Sequence, residues 1–261
     1  MTTRYELDGD VAIVTLNRPD RYNAINRDLS LAFVEAMDRA GDESRAVVLT
    51  GEGKAFCSGA DLSGFVDEYD DGGPDLAKHL DEEFHPMVHA IGGCPVPVVA
   101  AVNGVAAGAG MGLALGCDLR VMAESSYLTS SFTAIGLVPD SGSTWLLPHH
   151  VGASVALEMA LTNRRMPASE ALDRGLCVEV SPDGEAVERA VDYARKLADL
   201  PTDALVTTRR LIHGSSTLTF AEGLEAEKRE QGRLGNTPEH REGVKAFLEK
   251  RKPDFRNAGR S

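Results

Sequence analysis

Residues 90–117 contain no Asp, Glu, Lys or Arg. An uncharged stretch of that length has to be buried, either in a bilayer or inside protein. It holds seven glycines, Pro95, Pro97 and an Asn103-Gly104 turn signal. Those breakers argue against a membrane helix. They favour a buried strand (96–102), a glycine loop (103–110) and a buried helix running to about Gly116.

The flanking pattern extends this βα unit into an α/β layered chain. Residues 5–7 and 11–16 are rich in β-formers around Asp8-Gly9 and read as a hairpin. Residues 27–39 place Leu29, Phe33 and Met37 at helical spacing. A short strand at 47–50 runs into a second glycine-containing loop, 51–62. The acidic segment 63–74 reads as a mobile surface loop, followed by a helix over about 75–91. A strand at 119–123, a helix at 169–175 and a short strand at 177–180 complete this part. From about Pro182 the character changes to charged amphipathic helices at 184–199, 202–213 and 220–234. A fourth begins at Thr237-Pro238-Glu239, where Thr suits the cap, Pro the first turn and Glu the helix dipole.

Charge and cysteines narrow the function classes. Against 27 Lys and Arg stand 40 Asp and Glu, a formal charge of −13. Such a surface repels nucleic acid and anionic membranes, so neither is expected as a partner. The four cysteines form no C-x-x-C pair, which speaks against a zinc or redox motif and for a reducing, cytoplasmic setting. The N-terminus shows no apolar signal segment. His85 and His89 lie one helical turn apart, but a third ligand is not evident, so no metal is expected.

Both glycine loops follow buried strands and expose backbone N–H groups with little side-chain bulk around them. The second also opens a helix, whose N-terminus favours negative charge. Two converging N–H groups could hold a carbonyl oxygen that becomes an oxyanion. On spacing alone, tight helix–strand packing is the favoured explanation of the same glycines. Neither loop fits a nucleotide motif: Leu113 stands where G-x-G-x-x-G needs glycine, and Ala55 follows Gly53-Lys54 where a P-loop needs Ser or Thr.

Several motifs in order resemble the enoyl-CoA hydratase/isomerase (crotonase) family. They are Leu16-Asn17-Arg18-Pro19, Lys54-Ala55-Phe56-Cys57-Ser58-Gly59-Ala60-Asp61-Leu62, Ala101-Val102-Asn103-Gly104, Cys117-Asp118-Leu119-Arg120 and Gly136-Leu137-Val138-Pro139. The resemblance implies an α/β crotonase-like spiral of ββα units. It assigns residues 1–197 to the core carrying the CoA and acyl site, and 198–261 to a helical trimerisation region, giving a homotrimer or a dimer of trimers. It implies an acyl-CoA thioester as substrate, with coenzyme A part of the substrate and no separate cofactor.

Carried over residue by residue, the resemblance puts the two oxyanion-hole N–H donors on Ala60 and Ala109. CoA contacts fall on Arg21, Lys54, Ala55, Ala60, Asp61 and Leu62, and on Phe247 and Lys250 of a neighbouring subunit. Phe65, Met87, Phe132, Ile135 and Trp145 are expected to line the acyl pocket. The acids Asp67, Glu68, Glu82 and Glu83 lie near its mouth and are expected to be solvated. The two glutamates that hydratases of the family use fall on Gly112 and Phe132, so both are missing here. Asp140 is the one acid in the right segment. It could cap the helix beginning near residues 142–145, or serve as the proton-transfer residue found at this place in family members that isomerise double bonds. The run into Trp145-Leu146-Leu147-Pro148 resembles the ring-1,2-epoxyphenylacetyl-CoA isomerases of the family. The expected activity is therefore isomerisation of an enoyl-CoA or ring-epoxide CoA ester. Hydration or hydrolysis of a CoA thioester, and a non-catalytic CoA-binding subunit, are the alternatives.

Overall fold

The computed structural model describes residues 1–258, the side chains of Asp67 and Asp71 excepted. The first half runs β1 (Thr3–Asp8), β2 (Val11–Leu16), α1 (Arg27–Glu43), β3 (Ala46–Gly51) and β4 (Ala55–Cys57). It continues through α2 (Leu76–His79), a π-turn at Leu80–Phe84, α3 (His85–Gly92), β5 (Val98–Val102), β6 (Val105–Ala107), α4 (Ala109–Gly116), β7 (Leu119–Ala123) and β8 (Tyr127–Thr129). The second half holds α5 (Ser143–Val151), α6 (Ala153–Thr162), β9 (Met166–Pro167), α7 (Ala168–Asp173) and β10 (Glu179–Ser181). Four helices end it: α8 (Ala186–Ala198), α9 (Thr202–Gly214), α10 (Phe220–Leu234) and α11 (Pro238–Glu249).

Two sheets result. The larger has the order β1-β2-β3-β5-β7-β10, parallel except where β1 meets β2. Its strands alternate faces with period two. Val47 and Leu49 of β3 join the main core with Leu29, Phe33 and Met37 of α1. Ala46 and Val48 of the same strand face the other way, onto Ala190, Val191 and Ala194 of α8. A sheet covered on both faces explains why β3 and β5 read as unbroken apolar runs.

The smaller sheet, in the order β4-β6-β8-β9, is the main departure from the sequence reading. The segment expected as one glycine loop at 103–110 contains β6, which pairs in parallel with β4 and β8. Strands of two or three residues give too little alternation to be seen in a sequence. The acidic segment expected as a mobile loop is instead folded into 3₁₀ turns at Leu62–Phe65 and Asp67–Asp71. The helix expected over 75–91 is present, but a π-turn interrupts it.

The C-terminal helices form at the expected places. Thr219 and Glu222 make a reciprocal capping box on α10, and Thr237 caps α11. Arg209 of α9 reaches back to the core, donating to Asp118 at 3.1 Å and to the Cys94 carbonyl. Beyond it, Phe220, Phe247 and Leu248 are largely exposed on α10 and α11. Among the described residues no helix is long and apolar enough to cross a membrane.

Candidate active site

The loop after β4 and the start of α4 lie directly against each other. An added Cβ on Gly59 would sit 3.1 Å from the Ala107 carbonyl oxygen and 3.5 Å from the Ala109 nitrogen. Gly59 has φ +95° and Gly108 φ +54°, conformations that let the two backbones meet with no side chain between them. Ala60 forms a one-residue parallel bridge with Ile25. In it, Ile25 N–H donates to the Gly59 carbonyl at 2.7 Å, and Asp61 N–H to the Ile25 carbonyl at 2.8 Å. Those bonds use the amides flanking Ala60. Its own N–H is turned to the other side of the extended chain. Ala109 is the first residue of α4, and its N–H is one of those a helix cannot satisfy internally.

Ala60 and Ala109 both line one cavity of about 470 Å³, whose walls are chiefly apolar. Leu62, Phe65, Phe132 and Ile135 line it as well, together with Leu76, Leu80 and Phe84 from the α2–π-turn segment. Asp140 is the carboxylate in this wall. Burial raises its pKa above the ordinary aspartate value, while a hydrogen bond from Ser141 Oγ at 2.8 Å and the charge of His85 pull it partly back. The cap alternative is not what the side chain does. Gly142 occupies the N-cap of α5, and no side chain bonds to the helix there. Asp140 contributes only its backbone carbonyl, which accepts the Ser143 N–H.

The empty glutamate positions have a structural reason. An added Cβ on Gly112 would lie 2.5 Å from the Ser141 carbonyl oxygen and 2.8 Å from its Cβ. The turn that presents Asp140 therefore occupies the space a side chain at 112 would need. Ser141 and Gly142 both take left-handed φ, +51° and +79°, so this turn is a specific, partly strained conformation. At the other position Phe132 is buried and forms part of the cavity wall, near Gly108.

Two of the five residues expected to line the acyl pocket, Met87 and Trp145, are not in the cavity wall, and neither is Ala55, expected as a CoA contact. Met87 is fully buried in the main core, because the face of α3 that carries it turns towards α1. Trp145 lies on the outer face of α5, stacked on His149 at 4.1 Å and edge-on to His213 of α9. Ala55 has no exposed surface, and its carbonyl accepts from Asn23 at 2.8 Å, so it supports the loop instead of meeting a ligand. Arg21 and Lys54 are exposed at the mouth of the β4 loop, and Ser58 bonds back to the backbone of Arg21 and Tyr22. Asp61 is tied up: Ser63 Oγ at 2.6 Å and Arg18 at 2.7 Å hold its carboxyl below the ordinary range against the effect of burial. Phe247 and Lys250 are exposed on α11 and at its C-cap. His85 pairs with Asp81, and among the described residues no three ligating side chains cluster.

The family profile described as enoyl-CoA hydratase/isomerase matches residues 6–258. The chain belongs to the enoyl-CoA hydratase/isomerase family. A Rhodobacter capsulatus protein described as a probable enoyl-CoA hydratase is 43% identical to it over 97% of both chains. The 1,2-epoxyphenylacetyl-CoA isomerase of Escherichia coli is 37% identical over 94% of both. The crystal structure of an enoyl-CoA hydratase from Polaromonas sp. JS666 superposes with TM-score 0.89 at 32% identity, covering 96% of this chain and 98% of that one. The crotonase fold expected from the motifs is thus the fold of this member of the enoyl-CoA hydratase/isomerase family.

Sequence reasoning assigned no role to two asparagine side chains that build the site, the buried Asn23 and the half-buried Asn103. Asn23, fully buried with φ +57°, accepts the Arg18 N–H and donates to the Glu52 and Ala55 carbonyls. Asn103 donates to the Gly51 and Gly53 carbonyls. Together they satisfy the irregular backbone between β3 and β4.

Proposed function

We propose that this enzyme isomerises an acyl-CoA thioester, with Asp140 as a single proton shuttle opposite an oxyanion hole formed by the N–H groups of Ala60 and Ala109. The observation that carries the proposal is Asp140 itself. It is the carboxylate lining the cavity with those two amides, its pKa is raised, and its turn fills the space above Gly112.

The chemistry follows from the arrangement. A thioester oxygen held by two N–H groups can accept the negative charge of an enolate, which lowers the barrier to removing an α-proton. The Asp140 carboxylate takes a proton from C2 of a 3-enoyl-CoA, and the electrons pass into the dienolate. The resulting carboxylic acid returns the proton to C4, and the double bond moves from C3–C4 to C2–C3. One group serves as base and then as acid, so a raised pKa suits both halves. A ring-epoxide CoA ester, the substrate type named for the E. coli relative, is the other form this reading allows. Coenzyme A enters as part of the substrate, so no separate cofactor is required.

Hydration is the second reading, favoured by the description of the R. capsulatus relative. It would need a water activated by a group other than side chains at 112 and 132. Product analysis separates the readings. The isomerase converts a 3-enoyl-CoA to the 2-enoyl-CoA and adds little water to crotonyl-CoA. Rapid formation of 3-hydroxybutyryl-CoA would overturn the proposal, and binding without turnover of any acyl-CoA would favour a non-catalytic subunit. The exposed apolar side chains of α10 and α11 support assembly as a homotrimer or a dimer of trimers, with Phe247 and Lys250 reaching a neighbour's CoA. Four buried free cysteines suit a reducing, cytoplasmic setting.

A further inference from the structure

A second, smaller cavity of about 220 Å³ adjoins the first, and Phe65 and His79 line both. These two side chains form the partition between them. Their rings pack at 4.8 Å. The second cavity is more polar than the first, being bounded by Asn26, Arg27, Asp28, Asp61 and Glu83 along with Ile25 and Gly64.

The partition is pinned from both sides. His79 Nε2 meets Glu68 Oε1 at 2.9 Å, and Nδ1 meets Glu83 Oε1 at 2.9 Å. Glu68 belongs to the 3₁₀ turn Asp67–Asp71 and Glu83 to the π-turn that continues the helix from His79, so the imidazole ties the 3₁₀ turn to the helical segment that carries it. Burial opposes a charge on the ring, but the two carboxylates outweigh it and raise the His79 pKa. Glu83 is itself buried, and its backbone carbonyl accepts a hydrogen bond from Ser30 of α1. One side of the clasp is therefore anchored in the core.

We propose that the Phe65–His79 partition, held by Glu68 and Glu83, is the acyl-length stop of this enzyme. It separates the apolar cavity from the second one, so acyl groups that end before it are bound and longer ones are refused. Arg27, Asp28, Asp61 and Glu83 behind it make the space beyond a poor host for an alkyl end, which strengthens the discrimination. This inference rests on the acyl-CoA reading above and specifies the substrate class for the same cavity.

Binding of saturated acyl-CoAs tests it, because they require no turnover and so do not depend on the isomerase mechanism. Affinity in the wild-type protein is expected to rise by up to about fourfold per methylene until the chain meets the partition, then to fall. His79→Ala opens the partition and is expected to move that maximum to chains about two methylenes longer. Glu68→Gln, a change on the exposed side of the clasp, keeps the ring but loosens it. It is expected to weaken the refusal of longer chains with less effect on the position of the maximum, and it covers the case in which His79→Ala does not fold. An unchanged length profile in a folded variant overturns the inference and leaves the acyl-CoA reading intact. Absence of binding by any acyl-CoA to the wild-type protein overturns both.

Discussion

Gly112→Ala is a small substitution with a large expected effect, because the obstacle is backbone. The new methyl would lie 2.5 Å from the Ser141 carbonyl oxygen, 2.8 Å from the Ser141 Cβ and 3.2 Å from Ser143 Oγ. Favourable contacts lie near 3.5–4.0 Å, so the Ser141 turn has to retreat by roughly 1 Å. Overpacking of this kind costs about 1–3 kcal/mol, and a backbone neighbour in a left-handed turn puts the case at the upper end. Alanine recovers about 1 kcal/mol of helix propensity over glycine within α4. The net loss is about 2 kcal/mol, or roughly 4–8 °C in Tm for a chain of this size. Gly116→Ala on the same helix is the internal control. Its Cβ would meet only the Ile91 Cγ2 at 3.7 Å, an ordinary contact, so Tm should hold or rise slightly. Thermal unfolding at one protein concentration and scan rate makes the comparison fair for an oligomer. The displaced turn carries Asp140, so Gly112→Ala should also lose isomerase activity. Gly112→Glu, which writes back the hydratase glutamate, should give no hydratase. Equal Tm values for the two alanine variants, or a gain of hydration in Gly112→Glu, would refute the packing argument.

Four further outcomes follow from the same geometry. Ala109→Pro removes one oxyanion N–H at the first helical position, where proline is tolerated. Glycine precedes it, so kcat should fall by about 10²–10³ while circular dichroism stays native. The acid limb of kcat/KM should lie above the range of an ordinary aspartate, since activity requires the Asp140 carboxylate and burial raises its pKa. Ser141→Gly deletes the hydroxyl that lowers this pKa without opposing the left-handed φ, so the limb should move further up in a pH–rate profile. Asn23→Ala leaves the Glu52 carbonyl without its side-chain donor and the Ala55 carbonyl with only a long bond from Asn103, and should cost about 2–4 kcal/mol by chemical denaturation, with loss of CoA-ester binding.

Most of the larger sheet was legible because β1 to β3, β5 and β7 are long enough to read as strands, and α8 to α11 because their charged amphipathic faces follow helical rules, with Thr237 capping α11. β6 and β9 were not legible. Two or three residues carry no period, and only pairing partners distant in sequence define them. The π-turn at Leu80–Phe84 was hidden for a related reason, since one extra residue barely disturbs helical spacing over a short helix. In the candidate site, Ala60, Ala109 and Asp140 come from the family resemblance carried over residue by residue, and the structure brings all three to one cavity wall. Met87 and Trp145 were misplaced because an apolar residue in the right segment can face either side of its helix. His79 was overlooked because its role depends on Glu68, eleven residues away, and on a cavity no sequence pattern displays.

The central claim is that one carboxylate moves the proton, and Asp140→Asn tests it most directly. The exchange keeps the size and the Ser141 contact while removing the basic oxygen. With a 3-enoyl-CoA, kcat should fall by about 10²–10⁴, while the dissociation constant of a saturated acyl-CoA of matched length changes little. An Asp140→Asn protein that isomerises at the wild-type rate with unchanged binding would contradict the account.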